Sequence, residues 1–390
     1  MYDFCINGGG MVGASLALGL VQQGYRIAII ESVLPSPFSP EQPPDLRVSA
    51  ISVTSVQLLK RLGAWPYIEN SRLREYSELA VWESPSMATE FVADEIGEPL
   101  LGYFVENRLL QLGCHEALAG TDVHWIIDAT LSAYQLEESG VSVSLSNGDT
   151  LVCRYLIGAD GAKSQVRTLA DIGASGWQYA QQALGITVAL TAPCAARTWQ
   201  QFFPTGPRAL LPMYENYASL IWYDKADRIK ALKQLKPASL KQAILNDFPP
   251  LPSDFNVIDK AAFVLTRSHA SQYVQPGIIL IGDAAHTINP LAGQGVNLGF
   301  KDVSALLAIT ELLGPDKDDF YLRLQQAYEG PRKRDNGLMM SAMDGFYLLF
   351  SNQIAPLKWM RNAMLKGADV AGPVKHQVLR YAMGMSEWKF

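Results

Sequence analysis

The N-terminal stretch at residues 2–31 reads YDFCINGGGMVGASLALGLVQQGYRIAIIE and decides the fold class. The apolar run at its start predicts a buried strand, and the three consecutive glycines after it predict a tight turn. The small and apolar residues after Gly13 are typical of a packed helix, and the β-branched run at residues 26–30 predicts a second strand. The stretch therefore predicts a β-α-β unit, the building block of a parallel sheet covered by helices.

The glycines of this unit have the spacing G-x-G-x-x-G, formed by Gly8, Gly10 and Gly13. The first allows the tight turn, the second lets the backbone approach a pyrophosphate, and the third lets helix and strand pack closely. The helix N-terminus, with about half a positive charge, then faces the phosphates. Glu31 ends the second strand, where an acid hydrogen-bonds a ribose without a 2′-phosphate. These features predict a dinucleotide site, and the motif by itself fits FAD and NAD equally.

Composition and charge exclude several classes of protein. Of the 390 residues, 48% are hydrophobic and 18% are charged, which excludes a disordered or fibrous chain. The formal net charge of −6 argues against a nucleic-acid binder, which usually has a basic face. The four cysteines form no C-x-x-C pair and the five histidines are scattered, so we expect free thiols and no metal site.

The sequence also bears on the location of the protein. No run approaches about 18 apolar residues, so we expect no transmembrane helix. The apolar N-terminus lacks a basic segment and contains Asp3, which indicates a strand rather than a signal peptide. We therefore expect a cytoplasmic protein and leave open a peripheral position at the inner membrane.

The rest of the chain divides into two kinds of strand signal. Apolar runs that end in glycine and an acid indicate buried parallel strands, whereas alternating residues rich in aromatic side chains at 177–225 indicate an antiparallel sheet. Further strands are predicted near residues 76–83, 122–127, 141–145, 151–157 and 278–281. Helices are predicted near 53–63, 107–119 and 226–247 and beyond 295, and the proline-rich residues 33–46 predict a loop.

Two later motifs each place an acid after an apolar run. Residues 156–167 read LIGADGAKSQVR, with Asp160 and Gly161 before a candidate N-cap serine, and a capped turn without a ligand is the alternative. Residues 281–299 read IGDAAHTINPLAGQGVNLG. There Asp283 can accept hydrogen bonds from sugar-alcohol hydroxyls, and the glycines leave room for a flat ring. A helix that begins near Gly295 would direct its dipole at negative charge on a reduced flavin.

These three motifs, in this order and at these separations, resemble those of the flavoprotein aromatic hydroxylases of the para-hydroxybenzoate hydroxylase type. More narrowly, NPLAGQGVNLGFKD at residues 289–302 resembles the signature of the ubiquinone-biosynthesis hydroxylases. The resemblance runs nearly end to end. It includes DLRVSAIS at 45–52, VEN at 105–107, WQQF at 199–202, GPRALLP at 206–212 and RN at 361–362.

The expected fold is therefore α/β, with a Rossmann-like FAD-binding domain of the glutathione-reductase type, an inserted antiparallel β-rich substrate domain and C-terminal helices. We expect the FAD-binding domain to be discontinuous, over residues 1–72, 100–174 and 262–335. The substrate domain is expected at residues 73–99 and 175–261, and a C-terminal helical region at 336–390.

The resemblance also implies roles for individual residues. Those implied to bind the cofactor are Gly8, Gly10, Gly13, Glu31, Arg47, Asn107, Asp160, Gly161 and Asp283. Those implied to form the catalytic loop around the flavin ring are Pro290, Gly293, Gln294, Gly295 and Asn297. A surface or helix-capping arginine is the alternative for Arg47, and a helix N-cap is the alternative for Asn107. We interpret His286 as a structural residue behind the site rather than as a base.

The implied reaction is FAD-dependent hydroxylation of the ring of a polyprenylated demethoxyubiquinol in ubiquinone biosynthesis, through a flavin C4a-hydroperoxide. O2 would be the co-substrate. The sequence has one full dinucleotide fingerprint, so NAD(P)H would be a transient reductant. The implied partner is the polyprenyl quinol and not nucleic acid. A ubiquinone-biosynthesis protein complex, lipid contact and a homo-oligomer are left open.

Several alternatives stay open at this point. They are hydroxylation of another ring position, a non-catalytic assembly protein that retains FAD, a prenyl-chain reductase and an NAD-dependent dehydrogenase. A flavin halogenase is disfavoured because none of the eight tryptophans forms W-x-W. Asn289 stands where many members of the wider family have histidine, which favours the narrower ubiquinone group.

The C-terminal region is rich in methionine and aromatic residues. At helical spacing such residues are most often core, and a surface for a prenyl tail, a membrane or a partner protein is the alternative. They are Met339, Met340, Met343, Phe346, Tyr347, Leu348, Leu349, Phe350, Trp359, Met360, Met364 and Met383.

We expect purified protein to be yellow and to release FAD on denaturation, because hydrogen bonds and a helix dipole hold the nucleotide without a covalent bond. Visible absorbance and analysis of the released nucleotide measure this. A colourless protein that cannot be reconstituted with added FAD would contradict the prediction.

Overall fold

The computed structural model describes residues 1–289, 295–350 and 372–384. Its first elements are strand β1 (Tyr2–Asn7), helix α1 (Met11–Gln22) and strand β2 (Ile27–Glu31), and the two strands pair in parallel. The turn between β1 and α1 is tight: Gly8 has φ +107°, and a Cβ on Gly13 would overlap the Gly8 carbonyl oxygen. The predicted β-α-β unit is confirmed.

The remaining elements are given in chain order. The strands are β3 Val48–Ser52, β4 Arg74–Tyr76, β5 Glu78–Trp82, β6 Thr89–Val92, β7 Gly102–Glu106, β8 His124–Ile127, β9 Leu131–Glu137, β10 Gly140–Leu145, β11 Thr150–Gly158, β12 Ala174–Leu190, β13 Arg197–Gln201, β14 Arg208–Pro212, β15 Tyr217–Lys225, β16 Phe255–Ala270, β17 Val274–Gln275, β18 Ile278–Leu280 and β19 His286–Thr287. The helices are α2 Val53–Arg61, α3 Trp65–Glu69, α4 Asn107–Leu118, α5 Gln165–Leu169, α6 Ala226–Gln234, α7 Pro237–Asp247, α8 Gly295–Leu312, α9 Phe320–Arg323, α10 Gly330–Phe350 and α11 Gly372–Ala382.

The first sheet has the order β17-β18-β11-β1-β2-β8, and β10 and β9 extend from β11. The five strands from β18 to β8 are parallel. Their register places Asn7, Ile30, Gly158 and Leu280 in one row near their carboxyl ends. The motif residues that follow these strands therefore emerge at one edge of the sheet, where open α/β sheets bind their ligands.

The second sheet has the order β19-β16-β12-β15-β14-β13-β5-β6 and is antiparallel except between β13 and β5. One of its faces, with Leu184, Ile186 and Trp222, packs under α6 and α7. The other face carries Ala183 opposite Tyr223 and lies toward α10. A small third sheet, β3-β7-β4, is also antiparallel.

The α/β class, the β-rich second sheet and the C-terminal helices are confirmed. The sequence analysis assigned no element to β16, whose residues are mostly half-buried and do not alternate cleanly. This strand runs through the limit expected at residues 261/262, and β12 runs through the limit at 174/175. The domain limits stay a proposal.

Membrane-spanning helices and metal sites are both absent from the residues that the structure describes. No helix there has both the length and the hydropathy needed to cross a membrane. Over the same ranges, no three histidine, cysteine, aspartate or glutamate side chains are grouped as metal ligands. The four cysteines are buried and free.

The contact between Gly13 and Gly8 predicts a difference between two alanine substitutions. Gly13→Ala should lower the unfolding free energy by roughly 1–3 kcal/mol, because the added methyl meets backbone that cannot move aside. Gly10→Ala is the matched control, since a Cβ there meets nothing within 4 Å, and its cost should stay below about 1 kcal/mol, the scale of an N-cap change. Urea unfolding of the FAD-free protein measures both, and equal losses would contradict the prediction.

Candidate functional site

The glycine turn after β1 is held from two sides. The Gly9 N–H donates to Glu31 Oε2 at 2.7 Å, and the Gly9 carbonyl accepts from Gln111 Nε2 at 3.1 Å and from His115 Nε2 at 2.6 Å. Burial lowers the pKa of His115, so its ring is neutral at pH 7 and donates one proton to that carbonyl. These bonds fix the two peptide planes on either side of Gly9, between Gly8 and the start of α1.

The N-terminus of α1 is free to take an anion. Gly10 is its N-cap; none of the described side chains caps it, and its first turn contains no acid. The space beside Gly10 is open, because a Cβ built there would meet nothing within 4 Å. Uncapped N–H groups, a helix dipole and an open approach are what a pyrophosphate requires. Glu31 ends the neighbouring strand β2, where it can reach a ribose.

Asp160 has a local structural role in addition to its predicted one. Its carboxylate accepts hydrogen bonds from Asn7 Nδ2 at 2.8 Å, from Ser164 Oγ at 2.6 Å and from the Gln165 N–H at 2.7 Å. Ser164 in turn caps α5. Asp160 therefore ties the end of β1 to the start of α5, and Gly161, with φ +78°, shapes the turn between them. Their role in cofactor binding stays a prediction.

Arg47 and Asn107 lie side by side, although 60 residues separate them in sequence. The Asn107 N–H donates to the Arg47 carbonyl at 2.9 Å, and Ser49 Oγ donates to Asn107 Oδ1 at 2.7 Å. Asn107 is the first residue of α4 rather than its N-cap, which is Glu106. The Arg47 side chain is exposed and lies over the Phe263 ring of the second sheet, 5.7 Å from its centroid. Arg47 thus reaches from the first half of the chain toward β16.

Asp283 follows β18 in a short 3-10 turn, Gly282–Ala284. Its side chain is exposed, but the protein around it displaces enough water to raise the pKa of its carboxyl. The nearby His286 and Arg47 oppose that shift. An accessible but poorly hydrated carboxylate is well suited to accept hydrogen bonds from ligand hydroxyls.

Behind this turn lies a buried acid that the sequence analysis did not single out. Asp302 on α8 accepts hydrogen bonds from the Gly282 N–H at 2.9 Å, from His286 Nε2 at 2.5 Å and from Arg332 Nε at 2.7 Å. Burial would raise its pKa, but His286 and Arg332 outweigh burial and lower the pKa to about 2. The signal in the sequence was an acid in the middle of a mostly apolar helix. His286 is thereby placed behind the site, as interpreted from the sequence.

The catalytic loop predicted from the sequence is described only in part. Pro290, Gly293 and Gln294 lie outside the described residues, whereas Gly295 begins α8, as expected. The amide of Asn297 is bonded entirely to protein: Nδ2 donates to the Ala50 carbonyl at 2.7 Å, and Oδ1 accepts from Ser52 N–H and Ser55 Oγ. Asn297 therefore fastens α8 to β3 and α2, and this contact favours a positioning role.

Taken together, these residues fit FAD. The uncapped α1 and the space at Gly10 suit the pyrophosphate, Glu31 suits the ribose, and Asp283 suits the ribityl hydroxyls. Helix α8 begins at Gly295, and its N-terminus suits the flavin ring.

The C-terminal methionines and aromatics are divided: Met339, Met340 and Met383 are buried, Leu348 is exposed, and Trp359, Met360, Arg361, Asn362 and Met364 lie outside the described residues.

Comparisons with known proteins agree with FAD as the cofactor. The model of the FAD binding domain family matches residues 1–313, and that of the squalene epoxidase family matches residues 261–388. The 3-demethoxyubiquinol 3-hydroxylase of Escherichia coli (strain K12) is 44% identical over 385 residues, which cover 98% of each chain. The ubiquinone hydroxylase UbiL of Rhodospirillum rubrum is 33% identical and covers 98% of this chain and 89% of its own.

A solved structure shares the fold. The p-nitrophenol 4-monooxygenase PnpA of Pseudomonas putida DLL-E4 superposes with a TM-score of 0.81 at 16% identity, over 100% of this chain and 99% of that one. At that identity the likeness concerns the fold and not the substrate.

Glu31→Ala should weaken FAD binding roughly 10- to 150-fold, which corresponds to the loss of about 1.5–3 kcal/mol for a charged hydrogen bond. The FAD affinity of Glu31→Gln should lie between those of the parent and Glu31→Ala, because an amide oxygen still accepts from the Gly9 N–H but carries no charge. Glu138→Ala, at an exposed turn, is the control and should bind FAD normally. Titration of FAD-free protein measures the three affinities; an unchanged affinity in Glu31→Ala would remove the ribose role.

Proposed function

This chain belongs to the FAD-binding-domain family that includes the ubiquinone-ring hydroxylases, and from that premise we propose that it hydroxylates the ring of a polyprenylated demethoxyubiquinol. The observation that carries the proposal is the end-to-end similarity to the Escherichia coli 3-demethoxyubiquinol 3-hydroxylase. The protein is an FAD-dependent monooxygenase, and the ring position and substrate are the parts we propose.

When bound, FAD would supply the redox chemistry, with NAD(P)H as the source of electrons and O2 as the source of the added oxygen. The residues of the chain would hold and shield it. Gly8, Gly10, Gly13 and Glu31 would bind the ADP half, and Asp283 would hold the ribityl chain. Asp302 fixes the turn that carries Asp283 through its bond to the Gly282 N–H. Fixed contacts of this kind keep the ring and the substrate within reacting distance.

The face of the second sheet toward α10 is lined by apolar and aromatic side chains, and we propose that the quinol ring binds beside it. On the face toward α10, Tyr179, Ala183, Tyr223 and Leu265 form a buried cluster, and Met343 and Tyr347 of α10 pack against it. The Tyr179 and Tyr347 rings meet edge to face, with centroids 4.9 Å apart. A mostly apolar site with few polar groups matches a quinol ring with its hydroxyl and methoxy substituents.

The prenyl tail bears on location and partners. A polyprenylated quinol partitions into lipid, so we propose a cytoplasmic protein that contacts the inner membrane peripherally while it takes up its substrate. Membership of a ubiquinone-biosynthesis complex and a homo-oligomer are further parts of the proposal. They are tested by co-purification and by light scattering of the purified protein.

A non-catalytic assembly role is the alternative proposal. It predicts FAD retention without turnover, so a folded but catalytically inactive variant supplied to a strain that lacks the protein would still prevent the accumulation of ubiquinone intermediates. Accumulation of demethoxyubiquinone in the deletion strain supports the proposed step, and accumulation of an earlier intermediate would reassign it.

The decisive assay measures quinol hydroxylation and NAD(P)H oxidation for the parent, Gly295→Val and Asp283→Ala. A side chain at Gly295 meets only Ile288 among the described residues, at 3.9 Å, so valine there should leave the fold intact and crowd the flavin ring instead. We expect hydroxylation by Gly295→Val to fall about 100-fold, since small displacements of reacting groups cost that much. Asp283→Ala should chiefly weaken FAD retention, and excess FAD should restore part of its activity.

Two outcomes would count against this proposal. A parent protein that oxidises NAD(P)H in the presence of the quinol but forms no hydroxylated product would overturn the substrate. Normal hydroxylation by Gly295→Val would show that α8 does not border the flavin.

A further inference from the structure

Asn289 has a buried side-chain amide, and one of the two polar atoms of that amide has no hydrogen-bond partner among the described residues. Its side chain is 2% exposed, and Oδ1 accepts from the Tyr223 hydroxyl at 3.3 Å. Its Nδ2 is fully buried and has no acceptor within the described ranges of the chain. Buried amide N–H groups are nearly always paired, and an unpaired one points to a partner that binds from outside the chain.

The Tyr223 hydroxyl lies at the carbonyl end of the amide, 3.3 Å from Oδ1. Burial raises the pKa of Tyr223 well above its usual value, so the phenol keeps its proton and can donate it to that oxygen. The Tyr223 backbone is itself fixed, because its N–H donates to the Pro207 carbonyl at 3.0 Å and β15 pairs with β12. Because Oδ1 faces this hydroxyl, the group of Asn289 without a partner among the described residues is the N–H donor.

A second unpaired atom lies on the same face of the sheet. Gln181 is two residues before Ala183 on β12, and Ala183 lies opposite Tyr223, so all three side chains share one face. Gln181 Oε1 is buried with no donor among the residues described. It lies beside Gly206, where a Cβ would come within 3.2 Å of it and 2.5 Å of Tyr223 Cβ. A buried donor and a buried acceptor thus border the same tyrosine.

The surroundings of these atoms are apolar. The cluster of Tyr179, Ala183, Tyr223 and Leu265 lies on one side, and Ile288 packs with Met339 and Met340 of α10 and with Leu298 on the other. In sequence, Asn289 stands between Asp283 and Gly295, the two ends of the flavin site. A ligand that reaches Nδ2 here is an apolar ring that carries an oxygen.

We propose that Asn289 Nδ2 donates a hydrogen bond to a ring oxygen of the substrate, and that Tyr223 orients the amide for it. This inference rests on the proposed function and adds to it a specificity-determining residue. The donor favours a ring with a hydroxyl or phenolate oxygen at that position and disfavours the ring that has hydrogen there, because the buried N–H would then be left unpaired.

The test compares ring substrates in the FAD-loaded protein. A short-chain demethoxyubiquinol is compared with the two phenols that each lack one of its ring hydroxyls, for the parent, Asn289→Leu and Asn289→His. Leucine matches the size of asparagine without a donor, whereas histidine restores an N–H. Asn256→Leu, on an exposed part of the second sheet, is the matched control. The readouts are kcat/KM for each substrate and, independently of turnover, binding of the short-chain quinone followed by tryptophan fluorescence.

We expect Asn289→Leu to lower kcat/KM for the full quinol by roughly 3- to 30-fold, the range for one hydrogen bond to a buried group. For the phenol that lacks the contacted oxygen, Asn289→Leu should lower kcat/KM by less than about 3-fold, because the hydrogen bond is already missing with that substrate. Quinone binding should weaken in parallel. The preference is the ratio of kcat/KM for the full quinol to kcat/KM for the phenol that lacks the contacted oxygen. Asn289→His should recover part of this preference and Tyr223→Phe should reduce it. Asn256→Leu should behave as the parent.

The proposal fails if Asn289→Leu lowers kcat/KM for all three substrates by the same factor, because the residue then acts on packing or through a bound water. It also fails if Asn289→Leu retains full preference and full quinone affinity. Either result leaves the proposed function intact when the parent hydroxylates the quinol. A parent that neither binds nor hydroxylates any quinol overturns the function and this inference together.

Discussion

A buried carboxylate, that of Asp302, joins three elements behind the candidate flavin site. From α8 it accepts the Gly282 N–H at the end of the central sheet, the His286 ring of β19 and the guanidinium of Arg332 on α10. A buried ion of this kind is tolerated only when its partners are complete, and removal of one partner typically costs about 3–5 kcal/mol. The exposed Asp283 next to Gly282 is therefore carried by a turn that cannot easily shift.

The hydrogen bonds that begin at Asp302 extend through Arg332 of α10 to further side chains. Arg332 also donates to Asn336 at 2.7 Å, and Asn336 donates to the Tyr273 hydroxyl at 3.2 Å, which His269 contacts at 2.8 Å. Asn297, in the first turn of α8, fastens that helix to β3 and α2. The start of α8 is thus positioned from two directions, by Asp302 through α10 and by Asn297 through the third sheet. A helix that directs its dipole at a ligand needs this fixed position for the dipole to act on it.

The second sheet packs differently on its two faces. Leu184, Ile186 and Trp222 pack under α6 and α7 and form a core of their own. The residues next to them on the same strands, Ala183 and Tyr223, point the other way, toward α10 and Asn289. Because side chains alternate along a strand, one run of sequence can support the fold with half of its residues and leave the other half for the face on which we propose the ring to bind.

The sequence by itself determined the parts that depend on neighbouring residues. The β-α-β unit, the acids at strand ends, the start of α8 at Gly295 and the alternating strands at 177–225 all follow from local sterics and periodicity, and the structure has them. The resemblance of the motifs extended this to FAD and to the ubiquinone-ring hydroxylases. Local patterns cannot show which distant side chains meet, so only the tertiary structure decided that Asp160 binds Asn7, that Asp302 binds Gly282 and His286, and that Asn289 meets Tyr223 across 66 residues. Those contacts arise when separate elements pack, and burial then decides which polar atoms are satisfied within the chain and which are left for a ligand.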